Sequence, residues 1–235
     1  MSKKIVLDAG HGLNTPGKRC MKSIDAKETR EWFLNQRIVS KVQEKLKNYD
    51  VEVLRVDDPT GKNDIDLNTR CRKANEFGAD IYCAFHHNAG IAGGTGGGIV
   101  VITYDDSKEA VSLRDCLYDC LLNAGGLKGN RSNPKYANGS LRVLNGTRMI
   151  AVLAEHGFMD SVVDTPVILT DDYAEKMANG WIAFFEQYLG ITKIKKEEQV
   201  TGKLYYVQVG AFRSKENADA LVAELAGKGY SAIIK

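Results

Sequence analysis

The chain has 235 residues, of which 43% are hydrophobic and 26% are charged, and its formal net charge is +2. This is the composition of an ordinary globular protein, and so small a net charge gives no argument for a nucleic-acid partner or a membrane surface. The length suffices for one domain of ordinary size and a smaller second one.

The N-terminus, MSKKIVLDAG, places two lysines before an apolar run of only three residues. A secretory signal needs about 7–15 apolar residues, and a membrane span needs about 18 or more. We therefore expect a protein that is synthesised in the cytoplasm without a signal peptide and does not insert into a membrane. The five cysteines include no CxxC pair, which indicates reduced thiols rather than a disulfide framework.

Apolar periodicity predicts alternating strands and helices over the domain 1–190. The predicted strands are 4–8, 51–56, 80–85, 97–104 and 149–155, and the predicted helices are 27–47, 66–78, 108–124 and 171–190. This alternation is typical of an α/β domain with an open, twisted, mostly parallel sheet and helices on both faces. The polar, charge-dense stretch 191–202 is interpreted as a linker.

The last segment, 203–235, has the pattern of one small β-α-β unit. Apolar side chains alternate from Tyr205 to Val209 along a first strand, Ser214 is placed to cap a helix that ends near Gly227, and YSAIIK reads as a second strand. A unit this short is marginal on its own. We expect it to require a second copy, a contact with the first domain, or further chain.

All four histidines of the chain lie where predicted strands end. They are His11 in DAGHG, His86 and His87 in CAFHHNAG, and His156 in VLAEHGF, where Glu155 precedes it. In an open parallel sheet the carboxyl ends of the strands share one edge, and ligands bind there. Each histidine alone has an ordinary structural explanation, but their common placement favours a functional site at this edge.

A carboxylate extends the apolar stripe of the first predicted helix. The stripe recurs every four residues from Leu34 to Leu46, and Glu31 continues the same face toward the N-terminus. A buried carboxylate is costly unless it is paired or binds a metal, and Asn35 is spaced to hydrogen-bond it. The favourable helix dipole explains an acid in the first turn equally well. It also explains Glu28, so periodicity leaves both glutamates open.

Two histidines and a glutamate form a known ligand set for a catalytic zinc ion, with a fourth position left for water. Such an ion polarises a carbonyl and lowers the pKa of its water. A further carboxylate is then needed to transfer a proton, and Glu155 is the spare acid at the same edge.

The first 190 or so residues resemble the zinc-dependent N-acetylmuramoyl-L-alanine amidases of bacterial autolysins and phage endolysins. The resemblance implies that His11, Glu31 and His86 bind zinc, and it selects Glu31 over Glu28. It implies that Glu155 is the catalytic acid and base, and that the reaction hydrolyses the amide between N-acetylmuramic acid and L-alanine in bacterial peptidoglycan. The matching stretches, in the family's order, are IVLDAGHG, REWFLNQRIV, DLNTRCRKANEFGADIYCAFHHNAG, GGGIVVITY and LRVLNGTRMIAVLAEHGF.

The chain departs from the family pattern at two histidines. His87 replaces a small residue and is expected to face away from the metal, because neighbours on an extended segment face opposite sides. His156 replaces a small polar residue. Asp8 is expected to orient His11, as the outer partners of metal-bound histidines do. The candidates for substrate binding or ligand orientation are Asp8, Asn35, His87, Asn88 and His156.

The C-terminal segment resembles the first half of a SPOR domain, through YYVQVGAFRSKENADALVAEL and GYSAII. SPOR domains bind peptidoglycan glycan strands that lack stem peptides, so the resemblance marks Gln208 as a glycan-binding candidate. With only one half of the domain present, two copies are expected to complete each other in a homodimer. Without an export signal, the chain is expected to be a phage or prophage endolysin that reaches the wall after release.

Two other functions stay open from the sequence. A zinc peptidase that cuts within the stem peptide would use the same metal chemistry, with the stretch 125–145 deciding the scissile bond. A non-catalytic wall-binding protein is the other alternative. The joint presence of His11, Glu31, His86 and Glu155 argues against it.

Overall fold

The computed structural model describes residues 2–194 and 207–234. The chain divides into two compact units, Met1–Ile194 and Lys195–Lys235. This division falls within the stretch 191–202 that the sequence assigns to a linker. No helix in the described ranges combines the length and the apolar character needed to cross a membrane.

The first unit is built on one six-stranded sheet. Its strands are β1 (Lys3–Ala9), β2 (Val51–Arg55), β3 (Ile81–Asn88), β4 (Val100–Thr103), β5 (Lys135–Ala137) and β6 (Ile150–Phe158). They lie in the order β2-β1-β3-β6-β4-β5. Every neighbouring pair is parallel except β4 and β6, which are antiparallel. The prediction of a mostly parallel α/β sheet is confirmed.

Helices cover both faces of this sheet. They are α1 (Glu31–Leu46), α2 (Leu67–Phe77), α3 (Lys108–Asn123), α4 (Arg142–Asn145), α5 (Thr165–Ile168) and α6 (Asp171–Phe184), which continues into a π-helical turn, Phe185–Leu189. One apolar core joins α1, α3 and α6 to one face of the sheet. A second core joins α2 and α4 to the other face. The stretch 125–145, which the sequence links to the choice of scissile bond, contains β5 and all of α4.

The first helix begins later than predicted, at Glu31 instead of residue 27. The carboxylate of Asp25 accepts hydrogen bonds from the backbone N–H groups of Lys27 and Thr29. Such a side-chain turn competes with helical hydrogen bonding. Glu28 has a left-handed φ of 48°, which also excludes it from the helix.

Two strands run further than predicted, and this places the site residues within the sheet. Because β3 extends to Asn88 and β6 extends to Phe158, His86 lies within β3, and Glu155, the last residue of its predicted strand, lies inside β6. The parallel register sets His86 beside Glu155, and an irregularity follows between His86 and Asn88. Sheet pairing therefore fixes the relative positions of these two side chains.

In the second unit, α7 spans Lys215–Gly227 with Ser214 at its N-cap, as the sequence predicts. No strand forms in the described residues 207–214 or 228–234, where the sequence predicts the ends of two strands. Tyr205, in the first of them, lies outside the described residues. Val207 and Ile233 are exposed. Two short strands by themselves are marginally stable at best in water.

Candidate metal centre and catalytic carboxylate

Three side chains converge where β1, β3 and α1 meet. The ligand atoms of His11, Glu31 and His86 all lie within 4.8 Å of one another. Glu31 Oε2 is 3.3 Å from His11 Nε2, and Glu31 Oε1 is 3.0 Å from His86 Nδ1. The structure thus brings the three sequence-predicted ligands together.

The chemistry of this donor set fits a small divalent cation. Glu31 is 1% exposed, and its Oε2 accepts no hydrogen bond from the residues that the structure describes. Burial raises the pKa of Glu31, but the interactions with His11 and His86 outweigh it and lower the pKa, so the carboxylate is ionised. A buried anion facing two imidazoles, with an oxygen left unsatisfied, is suited to a two-histidine, one-glutamate metal site.

Glu28 is excluded from this cluster by the fold. It precedes α1, and its Oε1 pairs with Nε of Arg19 at 3.4 Å. Glu31 is the first residue of α1, and its backbone N–H donates to the carbonyl of Lys18 at 3.0 Å. The side chain of Glu31 points from the start of the helix toward the two histidines, whereas Glu28 points to a surface arginine.

The turn that carries His11 leaves no room for a side chain at Gly10 and little room at Gly12. A Cβ atom on Gly10 would overlap the imidazole of His86, and one on Gly12 would lie 3.1 Å from the backbone of Asp64. The left-handed conformation belongs to His11 itself, with φ of 68°. This backbone conformation costs a non-glycine residue about 1–3 kcal/mol, and it persists only where surrounding contacts impose it.

Glu155 lies beside the ligand cluster with its carboxylate partly unsatisfied. Its Oε2 is buried and has no hydrogen-bond partner among the described residues. Burial and the charge of Glu31 raise its pKa, which His86 partly offsets, to about 7. A carboxylate of this kind can accept and release a proton near neutral pH.

A cleft of about 280 Å³ opens over these carboxylates. Lys18 borders it, with its Nζ 3.9 Å from Glu31 Oε2. Asn88 also lines the cleft, and its Oδ1 accepts the backbone N–H of Ala89. Asn88 therefore borders the same cleft as Glu31 and Glu155.

His87 faces away from the ligand cluster, as the strand alternation predicts. It is 2% exposed, and its Nδ1 lies 2.8 Å from Oδ1 of Asn35. The amide nitrogen of Asn35 donates to the carbonyl of Gly10 at 3.1 Å and reaches Glu31 Oε1 at 3.5 Å. Asn35 therefore links Gly10 in the turn before His11, the carboxylate of Glu31 and the ring of His87.

His156 is fully buried beneath the site and has no surface for a substrate. Trp181 Nε1–H donates to its Nε2 at 2.9 Å, so the proton of the neutral ring sits on Nδ1 and is donated to the carbonyl of His86 at 3.0 Å. Burial lowers the pKa of His156 to about 4, which keeps the ring neutral. His156 supports the backbone of His86 from below.

Asp8 does not contact His11 directly, contrary to the sequence-based expectation. Its carboxylate accepts hydrogen bonds from the guanidinium of Arg70 and from the hydroxyl of Tyr82, the latter at 2.5 Å. Arg70 is not among the site residues predicted from the sequence. The signal was available, because Arg70 occupies the face of α2 that Ala74 continues into the core, where a charged side chain needs partners.

The remaining candidate, Gln208, lies in the second unit. Its side chain is exposed and donates to the carbonyl of Gly210 at 3.4 Å. Its assignment to glycan binding stays a prediction.

Comparison with known families gives two matches. The model of the N-acetylmuramoyl-L-alanine amidase family matches residues 5–186, and the model of the SPOR domain matches residues 201–235. The first match spans β1 to the π-helical turn and contains all three clustered ligands and Glu155.

Individual relatives include bacterial and phage proteins. The chain is 29% identical over 231 residues to the sporulation-specific N-acetylmuramoyl-L-alanine amidase of Bacillus subtilis (strain 168), covering 98% of this chain and 84% of the relative. It is 30% identical over 201 residues to the endolysin of Bacillus phage SPP1, covering 82% and 68%. Among solved structures, an N-acetylmuramoyl-L-alanine amidase from Clostridium difficile 630 has the same fold, with a TM-score of 0.71 at 24% identity over 80% of this chain and 97% of that one.

Proposed function

The chain belongs to the N-acetylmuramoyl-L-alanine amidase family, and from this premise we propose that His11, Glu31 and His86 hold a catalytic zinc ion and that Glu155 transfers the proton. The family match makes the chain a hydrolase of bacterial peptidoglycan that cleaves the amide between N-acetylmuramic acid and L-alanine. The observation that carries the proposal is the convergence of the three ligand side chains beside Glu155, with one buried oxygen of each carboxylate lacking a partner among the described residues.

The proposed metal centre uses only side chains that the fold already brings together. Bound by these three side chains, a zinc ion would supply Lewis-acid polarisation of the scissile carbonyl and would lower the pKa of the attacking water. Glu31 reaches both histidines with one carboxylate. Asn35 and His156 fix the orientation of Glu31 and the backbone of His86, which are the usual tasks of outer partners in metal sites.

Glu155 is proposed to carry the proton between the two halves of the reaction. As general base it removes a proton from the attacking water. As general acid it returns that proton to the alanine nitrogen, so that the amine leaves uncharged. Its position next to His86 in the strand register sets it beside the metal ligands without making it one.

Fragment analysis of digested peptidoglycan tests the reaction. We expect products with a free lactyl carboxylate on N-acetylmuramic acid and a new amino group on L-alanine. Cleavage inside the stem peptide, with the link between sugar and alanine intact, would contradict the amidase assignment and support the peptidase alternative.

Metal removal tests the cofactor. Dialysis against a chelator should abolish hydrolysis, and one equivalent of zinc per chain should restore it, with His86→Ala failing to bind the metal. A chelated protein that retains full activity would exclude a metal-dependent mechanism.

The proposal extends to the second unit, which matches the SPOR domain over residues 201–235. This second unit would attach the enzyme to glycan strands whose stem peptides have been removed, with Gln208 at the contact surface. Co-sedimentation of the full chain with denuded glycan, compared with Gln208→Ala, measures this. Pairing of two copies and a phage origin stay predictions, since the relatives include both bacterial and phage proteins.

A further inference from the structure

A buried arginine spans the turn that carries the first metal ligand. Arg70, on α2, is 1% exposed. Its Nη1 donates to the carboxylate of Asp8 and, at 3.0 Å, to the carbonyl of Ala9, while its Nη2 donates to the carbonyl of His11 at 3.2 Å. Three bonds from one guanidinium therefore cross the end of β1 and reach the residue with the left-handed backbone.

The other two N–H groups of Arg70 secure the guanidinium from the opposite side. Nε donates to the carbonyl of Ile65 at 2.7 Å, and Nη2 donates to Oδ1 of Asp64 at 2.9 Å. A guanidinium has five N–H groups, so every donor of Arg70 is used. The orientation of the planar group is thereby fixed relative to the His11 turn.

A second link ties the same turn to Asp64. The backbone N–H of Gly12 donates to Oγ1 of Thr15 at 2.9 Å, and the Thr15 hydroxyl donates to Oδ2 of Asp64 at 2.6 Å. Asp64 therefore connects Arg70 to the residue that follows His11. The two sides of His11 are tied to one side-chain cluster.

We infer that Arg70 is a positioning residue of the metal centre, which holds the backbone of His11 in the left-handed conformation that presents its imidazole to Glu31. The inference rests on the proposed function only in taking His11 as a metal ligand. Arg70 lies behind the turn and is absent from the residues that line the cleft, so it acts through His11 and not on the substrate.

Lysine cannot reproduce this arrangement. Its ammonium is a point donor with three N–H groups on a flexible stem, whereas the guanidinium presents five in one plane. Arg70→Lys keeps the charge opposite Asp8 but leaves the carbonyls of Ala9 and His11 with fewer donors. The variant therefore separates the hydrogen-bond geometry from the charge.

The test compares zinc affinity in Arg70→Lys, in the unaltered chain and in Arg72→Lys. Arg72 lies on the exposed face of the same helix, where it pairs with Glu76 at 3.1 Å, and it serves as the matched control. Zinc affinity is measured by competition with a chromophoric chelator. We expect Arg70→Lys to lose about 10–100-fold in affinity, the range typical of outer partners of metal ligands, and Arg72→Lys to match the unaltered chain.

Two further readouts separate positioning from folding. The unfolding midpoint of each metal-free variant gives the fraction of folded protein, and the measured zinc affinity is corrected for that fraction. The visible spectrum of cobalt-loaded protein reports the geometry of the metal ligands. A merely structural role predicts a lower midpoint with unchanged corrected affinity and an unchanged cobalt spectrum, and that result would overturn the inference.

If Arg70→Lys does not fold, Asp64→Asn decides the question. Asp64 is more exposed than Arg70, and this change weakens the hydrogen bonds that Asp64 accepts from Arg70 and Thr15. It should reduce zinc affinity, by a smaller factor than Arg70→Lys. Unchanged affinity in Asp64→Asn would then overturn the inference. Failure of the unaltered chain to bind zinc would instead contradict the proposed function.

Discussion

At the proposed metal centre, the packing of His86 beside the end of β1 depends on a missing side chain. His86 reaches Glu31 because Gly10, on the neighbouring strand end, has no Cβ where the imidazole lies. A methyl group there would force the ring or the end of β1 to move, and metal sites tolerate little displacement of their ligands.

We therefore expect Gly10→Ala to weaken zinc binding by about tenfold or more, comparable with the loss of an outer partner. Chelator competition measures this. Gly227→Ala is the matched control, because a Cβ at Gly227 meets no atom within 4 Å. Equal zinc affinity in both variants would show that the contact between Gly10 and His86 is unimportant for the metal.

The role of Glu155 can be separated from that of the ligands. Glu155→Gln keeps the shape of the side chain but cannot accept the proton of the attacking water. Hydrolysis of a soluble muropeptide should fall by about 100–10,000-fold, the usual contribution of general acid–base catalysis, while zinc affinity is retained. Glu28→Gln, which alters the glutamate paired with Arg19, should leave both quantities unchanged. Zinc loss in Glu155→Gln would place Glu155 among the ligands instead.

At the scale of whole elements, periodicity predicted the sheet but not the ends of its elements. The apolar runs of β3 and β6 are visible in the sequence, yet β3 continues through His86 to Asn88 and β6 continues past Glu155 to Phe158, because the two strands are paired with each other. The pattern of apolar residues cannot reveal such strand pairing where polar residues follow the apolar run. The start of α1 was missed for a related reason, since the turn around Asp25 depends on side-chain hydrogen bonds.

The site was predictable where the chemistry was carried by unusual residue types. Histidines at strand ends and a glutamate on an apolar stripe identified the cluster, although selecting Glu31 over Glu28 required the family resemblance. The supporting contacts were not predictable. Most hydrogen-bond partners of His156 and Arg70 lie 25 residues or more away in the sequence. Only the fold brings these partners together.

The loop between β2 and α2 provides a pH-dependent element. Asp58 accepts hydrogen bonds from the backbone and hydroxyl of Thr60 and from the backbone and amide of Asn63, and these bonds lower its pKa from 3.8 to about 2. The carbonyl of Gly61, within this loop, accepts the backbone N–H of Leu13 at 2.9 Å. The loop thereby supports the segment that follows the His11 turn.

Because the folded pKa of Asp58 is depressed, its stabilising contribution is complete above pH 3.8 and is lost as the pH falls toward 2. Asp58→Asn should therefore lower the urea midpoint at pH 7 and reduce the further decrease between pH 4 and pH 2.5, since it no longer titrates. Asp50→Asn, an exposed change outside the loop, is the control. An acid decrease as steep as that of the unaltered chain would contradict the role of Asp58.

On the scale of the whole molecule, the two units differ in how much they bury. The first unit has two apolar cores, which include the fully buried Trp181 and Tyr82. In the second unit, α7 has no buried residue. The described contacts of the metal centre all lie within the first unit, so metal binding and chemistry should be independent of the second.

The end of the first unit is defined by contacts that reach Ile194. Ile191 is 6% exposed in the core, the N–H of Asp50 donates to the carbonyl of Thr192 at 3.2 Å, and the N–H of Ile194 donates to the carbonyl of Asn48 at 2.8 Å. A chain ending at Ile194 retains all of these contacts. A chain ending at Leu189 loses them together with the burial of Ile191, which should cost about 2–3 kcal/mol.

We therefore expect the chain ending at Ile194 to match the full chain in unfolding midpoint, zinc affinity and hydrolysis of soluble muropeptides, and the chain ending at Leu189 to unfold at lower urea concentration. On insoluble peptidoglycan, where attachment to glycan raises the local enzyme concentration, the full chain should release fragments faster than the chain ending at Ile194. Equal rates on the insoluble substrate would contradict glycan attachment by the second unit. A loss of soluble activity on truncation at Ile194 would instead show that the second unit takes part in the chemistry, because the metal ligands and Glu155 remain in both chains.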